Sequence, residues 1–507
     1  MKSIKSTTLI YFFGALKLVF HLLTSTNYGL HRDEYLYFDQ GKHLSWGFYE
    51  VPPITPLIGR LAGILGGHPF VIRLFPALAG VIIIILACKL VKELGGNNWA
   101  ILFTGTALVF SPALLTTNSL FQPVSFNQLW WFLSAYVLIK IIRNNSLKYW
   151  CILGILAGVG FLTKYSILFY FASLFVAILI TKKRSILWSK HFLYAVSIAF
   201  IIVLPNILWQ FNHGLPVIQH MQELKETQLV HMNWSVFLSA HLEFHLSFSI
   251  IWLLGLIGLF KNKELKKYQF AGFAFIFTIL IIGLLHGKAY YTLGAFLILF
   301  PFGGIMLEKI VTKTIARSVL LLSMLLIVLM ALPFSPFPIL KLESLNKYIK
   351  FADKKLGISH QHRWEDGKYY NIPQDIADMH AWEELAQRVA AIYHALPKEQ
   401  KEKCMIYGGS YGHAAALNYF KNKYNLPTIY SFNGSYLYWA DTDIDFDRQI
   451  LIDDRRHDHS DWFSEMTLVD SIQNPVAREK GYIYYRSQPK INVAKAWKEA
   501  LLEERTY

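Results

Sequence analysis

Charged side chains are scarce in this sequence. Asp, Glu, Lys and Arg make up 16% of 507 residues, where soluble domains average about 25%. Together with 54% hydrophobic residues and a mean hydropathy of +0.33, this excludes a disordered chain and a wholly soluble one. Cysteine is scarcer still: Cys88, Cys151 and Cys404 are the complete set. Two lie in apolar runs and one in a polar tail, so neither a disulfide framework nor a thiolate metal site is spelled out. Acidic residues number 34 against 49 Lys and Arg, a formal net charge of +15. Such an excess can mark a nucleic-acid partner, but these cations fall in short clusters between apolar runs, the membrane pattern, and nucleic acid is not expected. No internal repeat or low-complexity tract stands out.

What is present is a series of apolar runs long enough for ~30 Å of hydrocarbon. The expected spans are 7–25, 70–91, 99–117, 123–142, 149–163, 165–181, 191–210, 236–260, 268–285, 290–307 and 316–334. The start, Met1-Lys2-Ser3-Ile4-Lys5 and then apolar residues to about Leu23, resembles a signal peptide. No small-x-small cleavage site follows, and an uncleaved first transmembrane helix is expected. One set of alternate loops takes Lys2 and Lys5, Lys89 and Lys92, Lys140 with Arg143 and Lys148, and Lys182-Lys183-Arg184 with Lys190. It also takes Lys261, Lys263, Lys266 and Lys267, then Lys309, Lys313 and Arg317. The positive-inside rule makes that side cytoplasmic. The loop 26–69 and the tail from Ser335 then face outward. The tail alternates strand and helix patterns: a helical Ile376–Leu396, then Cys404–Tyr407, Gly412–Tyr424 and Thr428–Phe432. The expected fold class is therefore a polytopic α-helical membrane protein of about 11 spans, residues 1–334, with an extracytoplasmic α/β domain, residues 335–507. The expected location is the inner (plasma) membrane.

Several groups on the outward side could carry chemistry. Arg32-Asp33-Glu34-Tyr35 places two carboxylates beside a cation just after the first span. A carboxylate there can take the proton of an attacking hydroxyl, although Asp is also an ordinary helix cap. Glu50 lies among aromatics and prolines in Phe48-Tyr49-Glu50-Val51-Pro52-Pro53, a costly place for a charge without a partner. His231, His241 and His245 are candidate partners. His241-x-x-x-His245 has the i,i+4 spacing that zinc sites use, which also suits core histidines. Lys164 and Lys288 are isolated cations at membrane ends, in Leu162-Thr163-Lys164-Tyr165 and Gly287-Lys288-Ala289-Tyr290-Tyr291. They either snorkel or grip an anionic headgroup, most simply a phosphate. Arg32, Arg60 and Arg73 could join them. In the tail, Gly408-Gly409-Ser410-Tyr411-Gly412 matches the Gly-x-Ser-x-Gly elbow of esterases, with Asp441, His457 and His459 following; a glycine-rich turn is the plainer reading.

Taken in order along the chain, four of these segments resemble motifs of the bacterial glycosyltransferases related to protein O-mannosyltransferases and the lipid A aminoarabinose transferase. They are Arg32-Asp33-Glu34-Tyr35, Tyr49-Glu50-Val51-Pro52-Pro53, Leu162-Thr163-Lys164-Tyr165 and Gly287-Lys288-Ala289-Tyr290-Tyr291. The resemblance implies the GT-C fold over roughly 1–334 with an appended α/β domain. It implies inverting transfer of a sugar from a polyprenyl-phosphate donor to a glycolipid, cell-envelope glycan or protein at the outer face. Asp33 is then the base and Glu34 its helper. Arg32, Lys164, Lys288, Tyr290 and Tyr291 hold the donor phosphate. Glu50 with His241 or His245 marks where some relatives hold a metal, and a divalent metal is the one cofactor left open. Two departures stand out. Val51 replaces a common Lys, and Asn118-Ser119-Leu120-Phe121-Gln122-Pro123 has Gln122 where relatives often carry an acid. The rival expectation is a transporter or flippase of lipid-linked sugars, which would more often show repeats and charges at the membrane midplane.

Overall fold

A computed structural model describes residues 5–357 and 362–506. The start Met1-Lys2-Ser3-Ile4, with its basic Lys2, lies outside the described residues. The chain divides into two compact units. One comprises Met1–Asn27, Phe70–Leu208 and Met221–Asn371; the other comprises Tyr28–Pro69, Trp209–His220 and Ile372–Tyr507. The polar segment after the first span is thus grouped with the C-terminal sheet, and residues 335–371 with the helices.

The first unit is helical. Every apolar run expected to span coincides with a helix or a bent pair of helices. By length and composition four can cross a membrane: Ser6–Thr24, Pro69–Glu93, Lys190–Asn212 and Thr314–Phe334. The number rises to 7 if each bent pair is one span. Three spans expected to be continuous are broken instead. Asn98–Phe110 and Pro112–Ser119 bend by 53°, Trp234–Glu243 and Leu246–Lys261 by 91°, and Ala289–Leu297 and Leu299–Ile310 by 56°. The first two breaks hold each other. The Phe244 carbonyl accepts from Ala113 N at 3.1 Å and from Ser111 Oγ at 3.0 Å, while Ser111 Oγ meets His245 Nδ1 at 2.7 Å. A carbonyl used this way is lost to its own helix, and Leu246 takes a left-handed φ of 45° to complete the turn. Pro112, without an N–H, tolerates the matching break. Elsewhere helices approach closely through small residues. A Cβ on Gly303 would lie 1.8 Å from the Ile251 carbonyl oxygen. This unit also carries a short antiparallel ladder of β1 (His362–Arg363) and β2 (Tyr369–Tyr370).

The second unit is built on a mixed five-stranded sheet. Its strands are β3 (Cys404–Gly408), β4 (Ile429–Tyr430), β5 (Arg448–Asp453), β6 (Phe463–Asp470) and β7 (Tyr482–Pro489), in the order β4-β3-β5-β7-β6. β3 pairs parallel with β4 and β5, whereas β7 pairs antiparallel with β5 and β6. The helix Tyr411–Tyr424 makes the crossover from β3 to β4, as parallel neighbours require. Met405, Leu437, Phe446, Phe463, Trp497 and Leu501 form the core against the last helix, Val493–Thr506. The helical stretch expected over Ile376–Leu396 is two helices, Gln374–Ala377 and Trp382–Ala395, separated where Ala381 adopts φ 70°. The segment Tyr28–Pro69 contributes two further helices, Arg32–Gln40 and Ile54–Ile64. All three cysteines are free.

Candidate active site

The helix Arg32–Gln40 begins with His31, not with an aspartate, as its cap. His31 Nδ1 accepts from Asp33 N at 3.1 Å, and Glu34 Oε2 accepts from His31 N at 2.8 Å. This is a capping box with histidine in the position usually held by Ser or Thr. Glu34 is fully buried and spends its carboxylate on the backbone, so its place is to fix the turn that carries Asp33. Asp33 is partly open, with 26% of its side chain exposed. Its Oδ1 accepts from the Tyr411 hydroxyl at 2.8 Å. Burial and Asp33 push the Tyr411 phenol well above its ordinary pKa, with Arg32 acting the other way, so it remains a donor.

Further charged groups pack against this turn. His31 Nε2 faces Asp378 Oδ2 at 3.5 Å, and Arg478 Nη1 pairs with the same carboxylate oxygen at 3.0 Å. Burial alone would lower the His31 pKa, but the neighbouring Asp378 and the charges of Asp33 and Asp375 push it up to about 9. The cap and this charge compete for Nδ1. Nδ1 accepts from the backbone only in the neutral ring; a protonated Nδ1 loses that bond and faces Asp33 Oδ2, 3.9 Å away. Asp378 is buried, which by itself raises its pKa, yet His31, Arg478 and Arg32 hold it well below the usual carboxylate range. Arg32 lies over the Tyr411 ring at 4.5 Å and pairs with Glu479 at 2.8 Å.

Glu50 is held in the same unit. Its Oε1 accepts from Ser435 N at 3.0 Å, and its Oε2 accepts from Gln40 Nε2 at 2.8 Å and from Ser435 Oγ. Burial pushes its carboxyl upward, against the lowering effect of the Ser435 bonds. The surrounding donors are amides and a hydroxyl, so Glu50 is filled as a hydrogen-bond acceptor and does not fit the part of a metal ligand. His241 and His245 belong to the helical unit. The helix Trp234–Glu243 ends before His245, so the i,i+4 spacing does not put both rings on one helical face. His241 Nε2 meets Thr292 Oγ1 at 2.9 Å, and His245 meets Ser111. Among the described residues, the group that could share a metal ion is a different one: His413, Asp454 and Glu479.

The helical unit brings together the cations that the sequence separates. Lys164 follows the helix Leu147–Phe161, whose end is closed by Lys164 N donating to Gly160 O at 3.0 Å. Lys288 precedes a short 3-10 turn, Ala289–Thr292, after His286 has taken a φ of 53°. Lys164 Nζ lies 5.3 Å from the Tyr290 ring and 4.8 Å from the Tyr291 ring; Lys288 Nζ lies 5.8 Å from Tyr290. Two ammonium groups thus lie near one aromatic ring, that of Tyr290. Their repulsion is eased by ring quadrupoles and by Glu365 and Gln228, both of which bond Lys288 Nζ. A phosphate would relieve it further. Of the other arginines, Arg73 is buried and bonds the Ser25 carbonyl at 2.7 Å, and Arg60 is exposed. Gln122 caps the helix Pro123–Arg143, its own N–H donating to Leu120 O at 2.9 Å.

Ser410 is an N-cap. Its Oγ accepts from His413 N at 3.3 Å, while Asp441 bonds Tyr430 and His457 bonds Asp453. The three parts of an esterase triad are therefore each engaged elsewhere. Sequence reasoning gave no role to Asp378, Tyr411 or Ser435, and took His31 only as part of the segment His31-Arg32-Asp33-Glu34. Only His31 carried a local signal, since it precedes Arg32-Asp33-Glu34 with a Glu at the third helical position.

A many-helix membrane unit joined to a small mixed sheet is the GT-C architecture of membrane glycosyltransferases. Over nearly its whole length the chain superposes on crystal structures of ArnT from Cupriavidus metallidurans at 14% identity. With undecaprenyl phosphate bound, the TM-score is 0.61, covering 95% of this chain and 98% of that one. For the apo state it is 0.58, covering 96% and 99%. Residues 50–209 match the family described as dolichyl-phosphate-mannose-protein mannosyltransferase. The lipid A galacturonosyltransferase RgtD of Rhizobium johnstonii is 25% identical over 197 residues, 38% of this chain and 41% of that protein. The chain thus matches about two fifths of the length of that curated relative. The chain has the GT-C fold of membrane glycosyltransferases, with the protein-mannosyltransferase similarity confined to residues 50–209.

Proposed function

We propose that this protein transfers a sugar from a polyprenyl-phosphate donor to a glycolipid acceptor at the outer face of the inner membrane, with inversion. The observation that carries the reading is the convergence of Lys164 and Lys288 on the Tyr290 ring, with Lys164 also near Tyr291. Two cations held together at helix ends suit a leaving phosphate, which gains charge as the sugar departs. The ArnT structure bound to undecaprenyl phosphate and the lipid A acceptor in the name of RgtD support the donor and acceptor classes.

In this reading Asp33 takes the proton of the acceptor hydroxyl as its oxygen attacks the anomeric carbon. The new C–O bond forms on the face opposite the phosphate, the old C–O bond breaks, and polyprenyl phosphate leaves. Tyr411 orients Asp33, and Glu34 with His31 fixes its backbone. Gln122 carries an amide and cannot serve as a second acid. No step is routed through a metal at Glu50. The isolated outer lysines, beside basic clusters on the alternate loops, support the outward orientation. The test is mass spectrometry of lipid extracts after incubation of the reconstituted protein with a panel of polyprenyl-phosphate sugars. A glycolipid heavier by one sugar is expected. An unchanged lipid profile with every donor, from well-folded protein, would contradict the reading.

A further inference from the structure

His413, Asp454 and Glu479 lie in the sheet-bearing unit and have no part in the chemistry above. His413 is on the first turn of the helix Tyr411–Tyr424, Asp454 directly follows β5, and Glu479 lies in the loop before β7. One ligand atom from each falls within 4.8 Å of the other two. Two acidic residues near a histidine would by themselves mean little. Here the histidine is fully buried, and neither ring nitrogen has a hydrogen-bond partner. A buried imidazole with both nitrogens unsatisfied is costly.

The spacing suggests what is missing. His413 Nε2 stops 3.5 Å from Asp454 Oδ1, long for a hydrogen bond, whose usual N···O length is about 2.9 Å. That oxygen already accepts two backbone N–H groups, so the ring faces an acceptor in use, and the other oxygen of the carboxylate is the one open to an ion. The carboxylates are also set in place in advance. Asp454 Oδ1 accepts from Lys480 N at 2.8 Å and Gly481 N at 2.9 Å, pinning the loop that carries Glu479. Its Oδ2 is left for a ligand role, as is the second oxygen of Glu479, whose Oε1 bonds Arg32. A metal ligand of this kind is commonly steadied by such outer hydrogen bonds.

We propose that His413, Asp454 and Glu479 bind a divalent first-row metal ion, with zinc the best match to one imidazole and two carboxylates. Two anionic ligands suit a cation, and Arg32 already pairs with one of them, Glu479. Two residues would link the site to the base: Glu479 holds Arg32, Arg32 covers the Tyr411 ring, and Tyr411 holds Asp33. Its role would be to set that chain of contacts. The proposal stands on its own geometry and does not depend on the transferase reading.

The test is direct metal binding by the full-length protein in nanodiscs, stripped with EDTA and then titrated with zinc, with bound metal counted by mass spectrometry. Wild type is expected to retain one zinc per chain. Glu479→Gln, which keeps the side-chain shape, and His413→Ala are each expected to weaken binding by about 10-fold or more. Glu50→Gln is expected to bind as wild type does. Gel filtration confirms that each variant is folded. No zinc on the wild type would overturn the proposal. So would wild-type affinity in either Glu479→Gln or His413→Ala, or loss of the zinc in Glu50→Gln.

Discussion

The Tyr411 hydroxyl donates a 2.8 Å hydrogen bond to Asp33 Oδ1, joining the first turns of two helices 378 positions apart in sequence. A hydrogen bond to a charged group contributes about 1.5–3 kcal/mol. If about half of that is realised only in the transition state, Tyr411→Phe lowers kcat by about 10-fold and leaves the donor KM unchanged. Steady-state kinetics on the variant check this. An unchanged kcat would mean that Tyr411 does not orient the base.

Lys164 and Lys288 meet at the Tyr290 ring. Removing one electrostatic donor from a reacting centre typically costs about 100-fold or more in kcat. Lys164→Met and Lys288→Met are each expected to show a loss of that size. Because the two act on one charge, the double variant is expected to lose less than the product of the single losses, a coupling of about 0.5–3 kcal/mol. Multiplicative losses in a double-mutant cycle would show that the lysines serve separate ends.

His31 and Asp378 make stability depend on pH. The folded pKa of His31 is raised to about 9, so its contribution is fully present below the unfolded value of about 6.5 and is lost as pH rises through 9. Asp378 is depressed, so its contribution is present above about pH 4 and is lost on acidification. The thermal midpoint is expected to fall between about pH 6.5 and 9 in the wild type. Asp378→Asn is expected to have a lower midpoint and a flatter alkaline slope. A slope equal to that of the wild type would contradict the pairing.

Much of the helical unit was legible because hydropathy alone marks a span. Each apolar run from 7–25 to 316–334 became helix. The bends were hidden, because they come from tertiary contacts. Nothing local in Phe244-His245-Leu246 announces that Ser111 takes up the carbonyl and ring there. In the tail, the Gly-rich punctuation of residues 408–412 placed β3 and its helix correctly, whereas β5, β6 and β7 carry no such marks. The site was half legible. Asp33, Lys164 and Lys288 are unusual residues for their positions, and the family resemblance gave them roles. Tyr411 beside Asp33, Ser435 beside Glu50 and Asp378 beside His31 are ordinary residues whose contacts come only from folding.

Ser410 caps a helix and is expected to do no covalent chemistry. Ser410→Ala removes an N-cap, which costs about 1 kcal/mol. A small drop in thermal midpoint is expected, with full transfer activity. A fluorophosphonate probe is expected to leave Ser410 unlabelled. Labelling that disappears in Ser410→Ala would revive the esterase reading.

The most direct test of the account is release of polyprenyl phosphate by protein in lipid vesicles, supplied with polyprenyl-phosphate sugars and an acceptor glycolipid extract. Wild type and Asp33→Asn are run side by side. The account predicts release that requires acceptor in the wild type, and a loss of about 1,000-fold in Asp33→Asn, within the range for removing a positioned base. Equal release by both proteins, or donor binding with no turnover by the wild type, would contradict it.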